Sequence, residues 1–282
     1  MVFDEGVSIP RNTRAELSAI AISPIAPDAV AIADASPMRL NIVNPNTTAA
    51  MTRTIAAAAA RVARPGTVIR AVESAFGPAS IEGAYDDAFA VPGLLARIAE
   101  GQAEGADAHV IACFDDTGLD AARALADAPV VGIGEAGFHL ASLLAHRFAV
   151  VTTLSRSVPV LENNLLRYGL DRRCARVRAT DVPVLELDNP ASNARAKVAG
   201  EIRRALEDDH AEAIVLGCAG MADLAASLGE EFGVPVIDGV AAAVTLAEGL
   251  AAIGLKTSKR GGYARPLAKS YSGIFAPFSP KA

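Results

Sequence analysis

Short apolar runs rich in Val and Ile recur along the chain, separated by longer alanine-rich stretches whose apolar positions follow helical spacing. The runs at residues 40–43, 68–72, 108–112, 129–132, 148–152, 175–179, 213–217 and 235–237 read as strands. Residues 48–62, 93–102, 158–168, 191–208 and 240–253 have the length and pattern of helices. Strands that are apolar throughout, rather than alternating, belong in parallel sheets covered by helices on both faces. The pattern therefore predicts an α/β fold built from doubly wound parallel sheets.

The pattern also repeats. Ala106-Asp107-Ala108-His109-Val110-Ile111-Ala112-Cys113 parallels Ala211-Glu212-Ala213-Ile214-Val215-Leu216-Gly217-Cys218, and both segments end in cysteine. Pro129-Val130-Val131-Gly132 answers Pro235-Val236-Ile237-Asp238, and Arg39-Leu40-Asn41-Ile42-Val43-Asn44 answers Arg147-Phe148-Ala149-Val150-Val151-Thr152. Two similar halves follow: a first domain of residues 39–133 plus 238–282, and a second of 134–237, related by a pseudo-two-fold axis with the site in the cleft between them. Residues 1–38 lack the pattern and read as a disordered tail or an over-extended start, with Met38 just before the first strand.

Each half places one cysteine just past the carboxyl end of a buried strand, where open parallel sheets bind ligands. The helix that follows presents unpaired N–H groups there. Two thiols reaching one carbon from opposite faces suit stereoinversion, one removing a proton and the other delivering one, because a thiol titrates near neutral pH. Cysteines are also common as small buried hydrophobes. Cys174 has no counterpart in the repeat and keeps that plain reading.

Composition narrows the field without redirecting it. The 282 residues carry a net charge of −6 and no basic stripe, which offers nothing to nucleic acid. No apolar run is long enough to span a membrane, and three cysteines are no disulfide framework. A cytoplasmic location is expected. The four histidines show no metal-ligand spacing, so no metal is expected. Gly132-Ile133-Gly134-Glu135-Ala136-Gly137 mimics a dinucleotide fingerprint, but no acidic residue ends a second strand at the right distance. It reads as a small-residue turn from strand to helix, and no cofactor is expected.

Five segments in order resemble one family: Asn44-Pro45-Asn46-Thr47-Thr48, Gly77-Pro78-Ala79-Ser80-Ile81-Glu82-Gly83, Ala112-Cys113-Phe114-Asp115-Asp116-Thr117-Gly118-Leu119, Phe148-Ala149-Val150-Val151-Thr152-Thr153, and Leu216-Gly217-Cys218-Ala219-Gly220-Met221. The sequence resembles the aspartate/glutamate racemase superfamily, and within it the hydantoin racemases that include allantoin racemases. The resemblance implies two α/β domains, no cofactor, and Cys113 and Cys218 as the acid/base pair acting on a small-molecule substrate. It also allows a homo-oligomer, although no stretch marks an interface. Proline often stands in the family where this chain has Thr117, a departure expected to bend the loop without touching the thiols.

An enolate formed from a hydantoin would place its oxygen near the backbone N–H groups of Phe114–Asp115 and Ala219–Gly220. Asn44, Thr152 and Thr153 fall at strand ends facing the same cleft and are candidates to hydrogen-bond the ring, with Asn46 beside them. Asn44 before Pro45 equally suits a turn, and Asn46, Thr47 or Thr153 equally suits a helix cap. Of Asp115 and Asp116, which would both raise the pKa of Cys113, at least one is expected to point away. No Lys or Arg adjoins either cysteine in sequence, which favours an uncharged ring over an amino acid. The rivals are an aspartate- or glutamate-type racemase, a related cysteine isomerase or decarboxylase, a non-catalytic bilobal binding module, and a redox pair closing a disulfide between Cys113 and Cys218.

Overall fold

The computed structural model describes residues 37–280 apart from 188 and 190. The expected tail therefore lies, up to residue 36, outside the described residues. Strands and helices alternate as β1 (Arg39–Asn44), α1 (Ala49–Val62), β2 (Val68–Glu73), α2 (Ala84–Ala103), β3 (Ala108–Ile111), α3 (Leu119–Leu125), β4 (Val130–Gly132) and α4 (Ile133–Leu144). They continue as β5 (Phe148–Thr152), α5 (Val158–Arg167), β6 (Cys174–Ala179), α6 (Ala194–Glu207), β7 (Ala213–Gly217), α7 (Ala225–Phe232), β8 (Val236–Asp238) and α8 (Gly239–Ala252). Each expected strand is present, with ends that differ by at most one residue.

The strands form two four-stranded sheets, β2-β1-β3-β4 and β6-β5-β7-β8, parallel throughout and identical in order. The repeat in the sequence is thus a repeat in topology. The central strands β3, β5 and β7 are buried end to end. The edge strands differ from the expectation of wholly apolar runs: β2 carries Arg70 and Glu73, β6 carries Arg176 and Arg178, and both are largely half-buried. An edge strand has one side open, so charge there is tolerated and discourages pairing with another sheet.

Helices cross between the sheets. α4 follows β4 but packs against β7 and α8, whereas α8 follows β8 and packs against α1, β3 and β4. One core consequently runs beneath both sheets, joining Leu40 and Ile42 of β1 to Phe148 and Val150 of β5. At its centre Phe138 lies edge-on to Phe114, with ring centroids 5.3 Å apart, and stacks on Phe148 at 6.2 Å. This shared core ties the loops of the two halves that face each other.

α2 starts well before the expected residue 93 and runs through Pro92. Proline costs an interior helix a hydrogen bond and crowds the preceding turn. Burial of Ala90, Leu94 and Ile98 outweighs that cost, and Asp86 and Asp87 in the first turn suit the helix dipole. Gly93 lets the helix close on the segment just after β2, since a Cβ there would lie 1.8 Å from Ser74 Oγ. α3, α4 and α7 are further helices beyond the expected set, the first and last being only about two turns long. Residues after α8 fold back on α3: Lys259 donates to the Arg123 carbonyl at 2.6 Å, and Tyr263 donates to Asp120 at 3.1 Å.

Candidate active site

The carboxyl ends of β1, β3, β5 and β7 converge on one narrow cavity of about 40 Å³. Cys113 enters from the loop after β3, and Cys218 from the start of the 3-10 turn Ala219–Leu224 after β7. Asn46, Phe114, Asp115, Thr152, Thr153 and Ala219 also line it. Asn44 and Gly220 do not line it. Asn44 is buried below the cavity, where its amide donates to Asn46 Oδ1 at 2.9 Å and Thr52 Oγ1 at 3.1 Å, so it shapes the turn. A Cβ on Gly220 would lie 2.9 Å from Leu187 and 3.8 Å from Cys218 Sγ, so glycine there lets the backbone pass close to the thiol. No disulfide joins the cysteines.

Thr152 donates its hydroxyl to the Gly217 carbonyl at 2.9 Å, which binds the end of β5 to β7 and leaves its oxygen as an acceptor. The hydroxyls of Thr153 and of Ser157 have no partner among the described residues. Two long loops close the top, contributing Ile81 after β2 and Val184 after β6. They are tied to each other, with the Val184 N–H donating to Glu82 Oε1 at 2.9 Å. Ile81 lies in the segment Gly77–Gly83 that carries part of the resemblance, whereas spacing gives no signal for Ser157 or Val184; the loops of Ile81 and Val184 follow matching strands of the repeat, which is the clue available for Val184.

The two aspartates after Cys113 separate as expected. Asp116 turns away and caps α4, accepting from the N–H groups of Gly134 at 3.0 Å and Glu135 at 2.8 Å, and from the Tyr168 hydroxyl at 2.8 Å. The small residues of the Gly132–Gly137 segment make room for this carboxylate: a Cβ on Gly132 would lie 2.1 Å from Asp116 Oδ1. Asp115 stays at the cavity wall. Burial and the neighbouring Asp87 push the Asp115 carboxyl up to about 7. Burial, with Asp115 and Asp87, holds the Cys113 thiol well above its ordinary value, opposed by donors from Thr117 and the Asp115 backbone. Burial therefore favours the thiol over the thiolate at Cys113.

Thr117 corrects the expectation that it leaves the thiols alone. Its Oγ1 lies 3.4 Å from Cys113 Sγ and 2.6 Å from Asp87 Oδ1 on α2. The backbone explains the contact: Asp116 and Gly118, on either side, take left-handed φ values of 53° and 64°, which curl the loop back under the thiol. Among the described residues no lysine or arginine lines the cavity.

Two thiols thus face one cavity from matching strand ends of a repeated α/β fold, and similarity to known proteins places that fold among the racemases, a class of isomerase. The profile of the Asp/Glu/Hydantoin racemase family matches residues 40–247, and the chain belongs to that family. It is 48% identical over 236 residues to a hydantoin racemase of Rhizobium meliloti, covering 84% of this chain and 98% of the relative. An allantoin racemase structure from Klebsiella pneumoniae superposes with a TM-score of 0.84 at 49% identity, over 86% of this chain and 100% of that one. Allantoin racemase from Pseudomonas fluorescens gives 0.81 at 42% identity, over 84% of this chain and 100% of that one. Among the described residues no helix is long and apolar enough to cross a membrane.

Proposed function

We propose that the protein racemises 5-substituted hydantoins, allantoin among them, by a two-thiol deprotonation and reprotonation that needs no cofactor. The carrying observation is that Cys113 and Cys218 reach one cavity, lined by no lysine or arginine among the described residues, from equivalent strand ends of two matching sheets. The C5 hydrogen of a hydantoin is acidified by the adjacent carbonyl. For one enantiomer the Cys218 side removes that proton while Cys113, held as a thiol, delivers one to the opposite face. For the other enantiomer the roles reverse.

The enolate oxygen accepts from backbone N–H groups at the strand ends, such as that of Ala219, and ring amides and carbonyls meet the Thr153 and Ser157 hydroxyls. An amino-acid substrate would bring an ammonium and carboxylates into a lining whose only charged side chain among the described residues is Asp115. That contrast supports the ring. The thiols work reduced, which suits a cytoplasm, and the reaction needs no partner besides its small-molecule substrate.

The test is to incubate the purified protein with single-enantiomer allantoin, and separately 5-benzylhydantoin, in D₂O, following optical rotation and deuterium uptake together. Loss of rotation with deuterium at C5 is expected, and Cys113→Ser and Cys218→Ser each abolish it. Racemisation at the parent rate in both variants overturns the two-thiol mechanism. Unchanged rotation with either ring, alongside racemisation of aspartate or glutamate, overturns the substrate class.

A further inference from the structure

A second space of about 290 Å³ adjoins the loop after Cys113, bordered by Asp87, Asp115, Thr117, Asn164 and Arg167. Thr117 is buried, at 2% exposure. Its hydroxyl has two acceptors within reach, Asp87 Oδ1 and Cys113 Sγ, on different elements. A threonine hydroxyl carries one hydrogen, so it cannot serve both at once. While Asp87 takes that hydrogen, the Thr117 oxygen turns lone pairs toward Cys113 and accepts from an S–H. When Cys113 has given up its proton, the same oxygen has nothing to accept, and rotation about one bond brings its hydrogen to the thiolate.

We propose that Thr117 and Asp87 are positioning residues for Cys113, a two-position hydrogen-bond switch in which the Thr117 hydrogen rests on Asp87 beside the thiol and turns to sulfur beside the thiolate. The proposal deepens the two-thiol reading and rests on Cys113 being one of its bases. No proton is transferred through Thr117; only its hydrogen bond changes partner. The switch lets one thiol serve in both directions of a racemisation, since each of its protonation states finds a matching partner without movement of the backbone.

The other groups facing Cys113 do not duplicate it. Asp115, on the same loop, offers a carboxylate that opposes the thiolate and a backbone N–H that is fixed in place. Cys218 stands across the cavity. Asp120 and Arg167, at the border of the second space, pair with each other. The thiol's elevation by burial, Asp115 and Asp87, lowered in turn by Thr117, agrees with the opposed parts assigned to the two switch residues.

The experiment measures iodoacetamide alkylation of Cys113 at about pH 8.5, near the ordinary thiol pKa, by peptide mass spectrometry in the full-length protein and its variants. A hydrogen bond to a charged group is worth about one pH unit or more, so Thr117→Val slows alkylation by ~10-fold. Asp87→Asn removes a nearby anion and frees the Thr117 hydrogen for sulfur, so alkylation quickens by ~3-fold or more. Thr117→Ser restores the hydroxyl and returns the rate to within ~2-fold of the parent. Opposite shifts in the first two variants, with rescue by serine, are what a merely structural role would not produce. Shifts of the same sign, or no shift in either, overturn the switch. Racemisation of allantoin by Cys113→Ser is followed in parallel: parent-level activity there overturns the two-thiol reading itself, whichever way the alkylation rates move.

Discussion

Replacing Asp116 by alanine tests whether the loop that carries Cys113 is held by the start of α4. The wild-type carboxylate satisfies three donors, Gly134 N–H, Glu135 N–H and the Tyr168 hydroxyl, at 3.0, 2.8 and 2.8 Å. Asp116 is itself buried, and α4 has no capping side chain at its own N-cap residue, Gly132. A buried donor left without a partner costs about 1–3 kcal/mol. Losing a helix cap costs about 0.5–2 kcal/mol. With water entering the vacated space and the costs near their lower ends, Asp116→Ala destabilises by about 3 kcal/mol, or about 6–12 °C in Tm for a chain this size.

The pH dependence sharpens the test. Burial raises the Asp116 carboxyl from its ordinary 3.8 to about 7. A raised acid binds its proton more tightly when folded, so its contribution is full below about pH 4 and is lost as pH rises through about 7. The deficit of the alanine variant is therefore larger at about pH 5 than at about pH 8. Urea unfolding at both pH values, read by far-UV circular dichroism, measures it. A deficit under about 1 kcal/mol at the lower pH, or one that widens with pH, refutes the reasoning.

Two further outcomes follow from the cavity. Glu82→Ala removes the tie between the two covering loops at the Val184 N–H, and the KM for allantoin rises by about 2- to 10-fold, the value of one hydrogen bond; an unchanged KM in steady-state polarimetry means that the tie does not hold the closed form. Cys174→Ser leaves racemisation within about 2-fold of the parent, because Cys174 begins the edge strand β6 outside the cavity and burial pushes its thiol up to about 12; a loss beyond about 10-fold overturns the assignment of chemistry to the other two cysteines.

The repeat made the site legible in the chain itself. Two cysteines after matching apolar strands could be placed at strand ends, because parallel strands buried on both faces have a simple apolar signature and their carboxyl ends open on a common side. The short helices α3 and α7 were less legible, since at 7 and 8 residues they hold too few turns to show a period. The extent of α2 was hidden by Pro92, a local signal overridden by burial of the helix face.

The sequence by itself determined the α/β class, the two-fold repetition and the pair of thiols, because those rest on periodicity and on residue identity at repeated positions. Tertiary structure decided which neighbours act on them. Asn44 proved to brace a turn, Asp116 to cap a helix from another segment, and Thr117 to meet the Cys113 sulfur. Each outcome depends on where a loop turns and what a distant element places beside it. The left-handed residues at 116 and 118 and the packing of α2 against β1 and α3 bring Asp87, Thr117 and Cys113 within hydrogen-bonding reach, and neither has a one-dimensional signature.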